Sequence, residues 1–317
     1  MRGVVAVTDF QWYEFLRTES GLDEVNFWRP SDKRTPRKLV EGMPFLFKLK
    51  EAHGGAIVGF GTFAYHSLLP AWLAWETFER RNGAATFEEM RHRIERLRPK
   101  QAGAAVADAS GRYEIGCLMI SVPIFFDRED WIAGPQDWPK NVVQGMAYDL
   151  ESGEGQRIWT ECLTRARGKS IATGPGAGEI VREGERYGVP VLVKPRLGQG
   201  TFKVSVMEAY QRACAVSTEH SLPVLEAAHI LPYAEGGEHR VANGLLLRTD
   251  IHRLYDRGYV TITPDFRFLV SRRLKDEFEN GRTYYAYDGN AVRVPEREAD
   301  RPDRELLAWH VKERFQR

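Results

Sequence analysis

The chain has 317 residues, with 43% hydrophobic and 28% charged content and a formal net charge of +1. These values give material for two modest cores and exclude a disordered or uniformly basic chain, so any attraction to an anionic partner must be local. Three scattered cysteines, Cys117, Cys162 and Cys214, exclude a disulfide framework and a four-cysteine zinc site. No segment approaches the roughly 20 apolar residues of a membrane span, and the N-terminus has no export signal, so a cytoplasmic protein with no membrane partner is expected.

In chain order, strand-like runs are predicted at Val4–Thr8, Phe45–Leu49, Ala56–Tyr65 and Gly116–Phe126, punctuated by Gly and Pro. Two helical patterns interrupt them, Leu73–Arg81 and the run from Thr86, where Thr86 and Glu89 have capping-box spacing. Every tryptophan lies at or before Trp159 except Trp309. Strands with a few helices out of strict alternation predict an α+β, barrel-like first domain over residues 1–165. Residues 166–200 are dominated by Gly, Pro and charge and read as a linker. A second domain is predicted over 201–317, opening on a helix from Phe202. Its later part holds a hairpin, Tyr259–Thr263 with Arg267–Ser271, and a short helix, Leu274–Asn280.

The richest stretch is Glu226–Asp256, EAAHILPYAEGGEHRVANGLLLRTDIHRLYD. Val224–Ile230 reads as a strand, Tyr233–Arg240 as a loop around Gly236-Gly237, and Gly244–Leu247 as the return strand. A short helix follows, with Thr249 as the expected N-cap, Asp250 at its positive end and Gly258 closing it. Cleaving a phosphodiester needs a base of near-neutral pKa for water and a cation beside the charged phosphorus. His229 suits the base. His252 and Asp256, four apart on one helix face, suit a divalent ion. The bland alternatives are a buried core histidine for His229 and a surface ion pair with Arg253 or Arg257 for Asp256. On strand alternation Glu226 shares the face of Ala228 and points away from His229.

The order His229, Asn243, His252, with its flanking EAAHI, NGLLL and DIHRLYDRGYV strings, resembles the HNH nuclease family, over about residues 196–290. The resemblance implies a ββα-metal fold and one divalent metal, Mg²⁺ or Mn²⁺. It implies that His229 activates water, Asn243 orients the base loop, and His252 with Asp256 holds the metal. Ala228 departs from the pattern, because many members carry a ligand there. The two CxxC pairs of some relatives are also missing, so no structural zinc is expected. Arg248, Arg253, Arg272 and Arg273 are candidate phosphate contacts; a solvated face is the ordinary alternative for each.

In the first domain, the strings VNFWRPS, FLFKLK, AIVGFGTFAYHS, LAWETFERRNGA and NVVQGMAYDL resemble the EVE-like branch of the PUA superfamily. That implies a small barrel that holds an extruded base against aromatic rings. Trp28, Tyr65, Trp75 and Trp131 are the candidate walls, and Asn26 and Ser31 the candidate readers of the base edge. Lys33, Arg34, Arg37 and Lys38 could track phosphates, or form an exposed loop. The expected whole resembles a modification-dependent restriction endonuclease: an N-terminal PUA/EVE-like β-barrel with flanking helices, a linker, and a C-terminal ββα-metal HNH nuclease domain. Its expected substrate is double-stranded DNA bearing 5-methyl- or 5-hydroxymethylcytosine, with a homodimer to cut both strands. Two alternatives stay open: an RNA- or structure-directed HNH nuclease, and a non-catalytic modified-base sensor with a decayed nuclease domain.

Overall fold

The structure is a computed structural model and describes residues 1–30, 39–98, 110–139, 142, 144–170 and 197–317. The described chain forms two compact units, Met1–Gly198 and Gln199–Arg317.

The first unit runs β1 (Arg2–Thr8), α1 (Phe10–Leu16), β2 (Glu24–Arg29), β3 (Pro44–Leu49), β4 (Ile57–Pro70), α2 (Ala71–Phe78), α3 (Phe87–Leu97), β5 (Glu114–Phe125), β6 (Gly145–Asp149) and α4 (Gly153–Ser170). Its six strands make one sheet in the order β2-β5-β4-β3-β1-β6. β1 and β3 are parallel and the other pairs antiparallel.

Strand alternation explains why this sheet is covered twice. On β3, Phe45 and Phe47 point to one face and Leu46 to the other, and all three are fully buried. The first face packs against α1, where the Trp12 ring meets Phe27, Phe47 and Phe125 with centroids 5.3 to 5.7 Å apart. The opposite face carries Val5, Leu46, Phe60 and Phe126 against Ile158, Trp159 and Cys162 of α4. This corrects the expected barrel. Among the described residues β2 and β6 are edges at opposite ends, and no pairing closes the sheet. A barrel has one filled interior, whereas here both faces need a helical cover.

The helix α3 begins as its sequence predicts. The Thr86 hydroxyl accepts from the Glu89 amide at 3.2 Å, while Glu89 reaches back to the amide of Ala85 at 3.0 Å. Sequence reading missed α1 and α4. It also placed the domain end at 165, within α4, which continues to Ser170; 171–196 of the expected linker lies outside the described residues.

Two expected base-pocket residues are core. Trp28 is 7% exposed and donates its indole N–H to the Asn82 carbonyl at 3.0 Å. Asn26 is fully buried and donates to Asn82 Oδ1 at 2.8 Å. Asn82 in turn donates to the carbonyls of Ala74 and Glu79, at 3.1 and 2.9 Å, and so ties β2 to the end of α2. Replacing Asn82 by Ala strands several buried polar groups at once. We expect Asn82→Ala to cost about 3 kcal/mol of unfolding free energy, read as a lowered midpoint in urea denaturation followed by tryptophan fluorescence.

The second unit runs α5 (Gln199–Ala209), β7 (Leu225–His229), β8 (Gly244–Arg248), α6 (Thr249–Asp256), β9 (Val260–Ile262), β10 (Phe268–Val270), α7 (Arg273–Phe278), α8 (Arg282–Tyr285) and α9 (Arg304–Glu313). β7 and β8 form an antiparallel hairpin in which His229 faces Gly244. Leu245, Leu246 and Leu247 are all buried, so β8 is covered on both faces. β9 and β10 pair antiparallel as the predicted second hairpin. Just past the end of α6 stands Gly258, whose φ is +74° and whose amide donates to the Tyr255 carbonyl at 2.9 Å. A Cβ there would sit 2.1 Å from the Arg314 carbonyl oxygen, so both backbone conformation and space require glycine.

Candidate active site

The site is assembled from α5, the β7–β8 hairpin and α6. Asn243 closes the hairpin loop. It is fully buried, its Oδ1 accepts from the Leu231 amide at 2.9 Å, and its Nδ2 donates to the carbonyls of Leu231 and Glu238 at 3.0 Å each. Its own carbonyl accepts from the Ile230 amide at 2.9 Å. The loop is therefore stitched down directly after His229. Gly237 permits this closure, because a Cβ there would lie 1.9 Å from the Leu231 carbonyl oxygen.

His229 ends β7 and is held between two rings. Phe202 of α5 stacks on it at 4.1 Å with a 14° interplanar angle. His229 Nε2 lies 3.0 Å from Nδ1 of His239 in the loop, and His239 stacks on Tyr233 at 4.5 Å. Burial, followed by the nearby imidazoles of His239 and His252, pushes the His229 pKa down to about 4. At neutral pH the ring is uncharged and able to take a proton.

His252 projects from α6 between two carboxylates. Its Nδ1 is 2.7 Å from Glu226 Oε2, and its Nε2 is 3.4 Å from Asp256 Oδ2. Glu226 therefore reaches the site, contrary to the reading from strand alternation. Its side chain is long enough to meet α6, which packs beside β7. Burial raises the Asp256 carboxyl above its ordinary range and Glu226 raises it further, while His252 and Arg314 oppose this. A cleft of about 470 Å³ is lined by Glu226, His229, His252 and Asp256, with Lys203 and Arg314 also on its wall.

This donor set suits a divalent ion. Imidazole plus carboxylate is a common pair of ligands, and a Glu226 bond to Nδ1 leaves Nε2 as the lone pair facing Asp256. A cation would also relieve the cost of ionising Asp256. Among the described residues no group of three or more His, Cys, Asp and Glu side chains is gathered to enclose a metal. Two protein ligands therefore leave the rest of a coordination shell to water and phosphate. Ala228 is fully buried and supplies no ligand.

Other sequence-based candidates lie elsewhere. Arg248 is taken up by Asp250 in two bonds, at 2.6 and 2.8 Å, and Arg273 pairs with Glu277 at 2.8 Å. Arg253 and Arg272 are exposed, and none of the four lines the cleft. Lys203 and Arg314 were missed, because Arg314 meets the loop only through the fold, as an ion pair with Glu235. Thr249 does not cap α6; it is the first helical residue, and its hydroxyl donates to the Val224 carbonyl at 3.1 Å. Cys214 is buried, with its sulfur accepting from the amides of Arg248 and Ser217. In the first unit, Trp75 tilts against Phe87, Trp131 donates to the Tyr13 hydroxyl at 2.9 Å, and Tyr65 is half-buried on β4. Ser31, Lys33, Arg34, Arg37 and Lys38 lie outside the described residues.

Residues 214–263 match the HNH endonuclease family model. The second unit thus carries an HNH endonuclease domain, which spans the hairpin, α6 and β9 and supports a nuclease function. A comparison with curated proteins finds no match. Among solved structures the chain is similar to one described as a modification dependent TagI restriction endonuclease. Identity is 13%, covering 92% of this chain and 75% of that one, with a TM-score of 0.29, too loose a superposition to carry an argument. No helix among the described residues is long and apolar enough to cross a membrane.

The HNH domain is buttressed by α9. His310 stacks on Tyr255 at 3.7 Å, its Nε2 donates to the Tyr255 carbonyl at 3.2 Å, and its Nδ1 lies 2.9 Å from the Thr261 hydroxyl. A carbonyl only accepts, so the neutral ring carries its proton on Nε2. Burial pushes the His310 pKa down from 6.5 to about 4. The unfolded chain therefore binds the extra proton first as pH falls. Stability from this group is fully present above pH 6.5 and is lost on descent to about pH 4. We expect thermal melts of the wild type to fall through that window, and His310→Gln to show a shallower fall.

Proposed function

We propose that the chain is a metal-dependent DNA endonuclease whose first unit reads a modified cytosine and whose HNH domain cuts the phosphodiester. The observation that carries the reading is the convergence of His229, Glu226, His252 and Asp256 on one cleft within the matched stretch. His229 removes a proton from water, and the oxygen attacks phosphorus as the phosphorus–leaving-oxygen bond breaks. Asn243 holds the loop that fixes His229, and Glu226 orients His252. His252 and Asp256 would hold Mg²⁺ or Mn²⁺, which when bound stabilises negative charge on the phosphate oxygens. Lys203 and Arg314 would attract the DNA backbone to the cleft.

The choice of modified cytosine rests on the N-terminal strings that resemble EVE-like domains. With Trp28 and Asn26 committed to the core, Tyr65, Trp75 and Trp131 are the half-buried aromatic candidates for contact with a base. Cutting both strands calls for two nuclease units, and a homodimer is the arrangement proposed.

The test is digestion of plain, 5-methylcytosine and 5-hydroxymethylcytosine DNA, and of RNA, with Mg²⁺ or Mn²⁺. Modified DNA should be cut preferentially, a chelator should stop the reaction, and His229→Ala should slow it roughly 100-fold or more. A His229→Ala protein that cuts at the wild-type rate overturns the assignment of the base. Equal cutting of plain and modified DNA, or preference for RNA, overturns the substrate.

A further inference from the structure

The HNH domain holds a second imidazole against the proposed base. His239 Nδ1 lies 3.0 Å from His229 Nε2, and each ring is fixed in plane by an aromatic neighbour: Tyr233 stacks on His239 and Phe202 on His229. Neutral imidazoles can share one proton in that bond in two ways. If His239 donates, the His229 proton sits on Nδ1 and its Nε2 lone pair is already spent. No lone pair then remains for water. If His229 donates from Nε2, its Nδ1 lone pair stays available.

We propose that His239 is the positioning residue of the base, accepting the Nε2–H of His229 and holding that ring in the tautomer whose Nδ1 can take a proton. The inference rests on the reading of His229 as base. The step balances simply: the water proton moves to Nδ1, the electron pair stays on the oxygen, and Nε2–H of the resulting imidazolium remains bonded to His239. A hydrogen bond to an imidazolium is stronger than one to a neutral ring, so His239 favours the protonated product. The charged groups on the cleft with His229 are Glu226 on its own strand, His252 and Asp256 on α6, Lys203 and Arg314, and its wall also carries the titratable Tyr233, Tyr255 and His310. None of these occupies Nε2. Burial, with the nearby imidazoles, lowers the pKa of His229, so that ring is uncharged at rest.

The experiment uses the full chain in two forms. Nitrogen chemical shifts of ¹⁵N-histidine-labelled, metal-free protein report which nitrogen of each ring carries the proton. Wild type should show His229 as the Nε2–H tautomer, and His239→Ala should show a mixture. Cleavage of 5-methylcytosine plasmid with Mn²⁺ gives the second readout. His239→Ala should lower kcat roughly 10- to 100-fold with KM changed by less than about twofold. His239→Asn, whose Oδ1 takes the place of Nδ1 as acceptor, should recover kcat to within about threefold of wild type. A wild-type His229 protonated on Nδ1, or a His239→Ala kcat equal to wild type, overturns the proposal. Should His239→Ala fail to fold, the wild-type tautomer and the His239→Asn rate decide. An inactive His229→Ala beside a fully active His239→Ala removes this inference alone. An active His229→Ala removes the reading beneath it.

Discussion

The geometry of the HNH domain depends on one buried amide. Asn243 makes three side-chain hydrogen bonds and two backbone bonds to a loop that begins one residue after His229. Each is ordinary alone, at about 1 kcal/mol net. Together they fix a turn that no regular ladder could hold, because Pro232 has no amide to donate and Gly236-Gly237 imposes no conformation. The placement of His229, the approach of His239 and the stacking of Tyr233 all inherit their precision from that closure.

The cleft separates its two duties by environment. His229 is half-buried against the Phe202 ring, and burial keeps it uncharged at neutral pH. His252 sits between carboxylates, which supply negative potential. An imidazole beside aromatics and one beside acids are different reagents, although the residue type is the same.

Much of this site was legible in the sequence because hairpin and helix are local. The spacing from His229 to Asn243 and on to His252 is read within 24 residues, and the i,i+4 relation of His252 and Asp256 follows from helix geometry. Glu226 was only a weak candidate in the sequence, because alternation predicts where a Cβ points, not how far a long side chain reaches. Lys203 and Arg314 were invisible because their place in the cleft comes from tertiary packing. In the first unit, local strings located β3, β4 and β5, yet did not reveal how the strands associate. Phe45, Leu46 and Phe47 are apolar on both faces, a pattern shared by a sheet covered on two sides. Nor could they show that Trp28 and Asn26 are spent on Asn82, 54 and 56 residues away.

β8 passes into α6 with no residue between them, since the strand ends at Arg248 and the helix starts at Thr249. Adding or removing one residue at that junction would turn the helix by about 100° and swing His252 and Asp256 off the cleft together. The turn Tyr233–Glu235, on the other side of the hairpin, is not coupled to the direction of α6 in this way. The direction of α6, and with it the position of both His252 and Asp256, is set by the strand that precedes it.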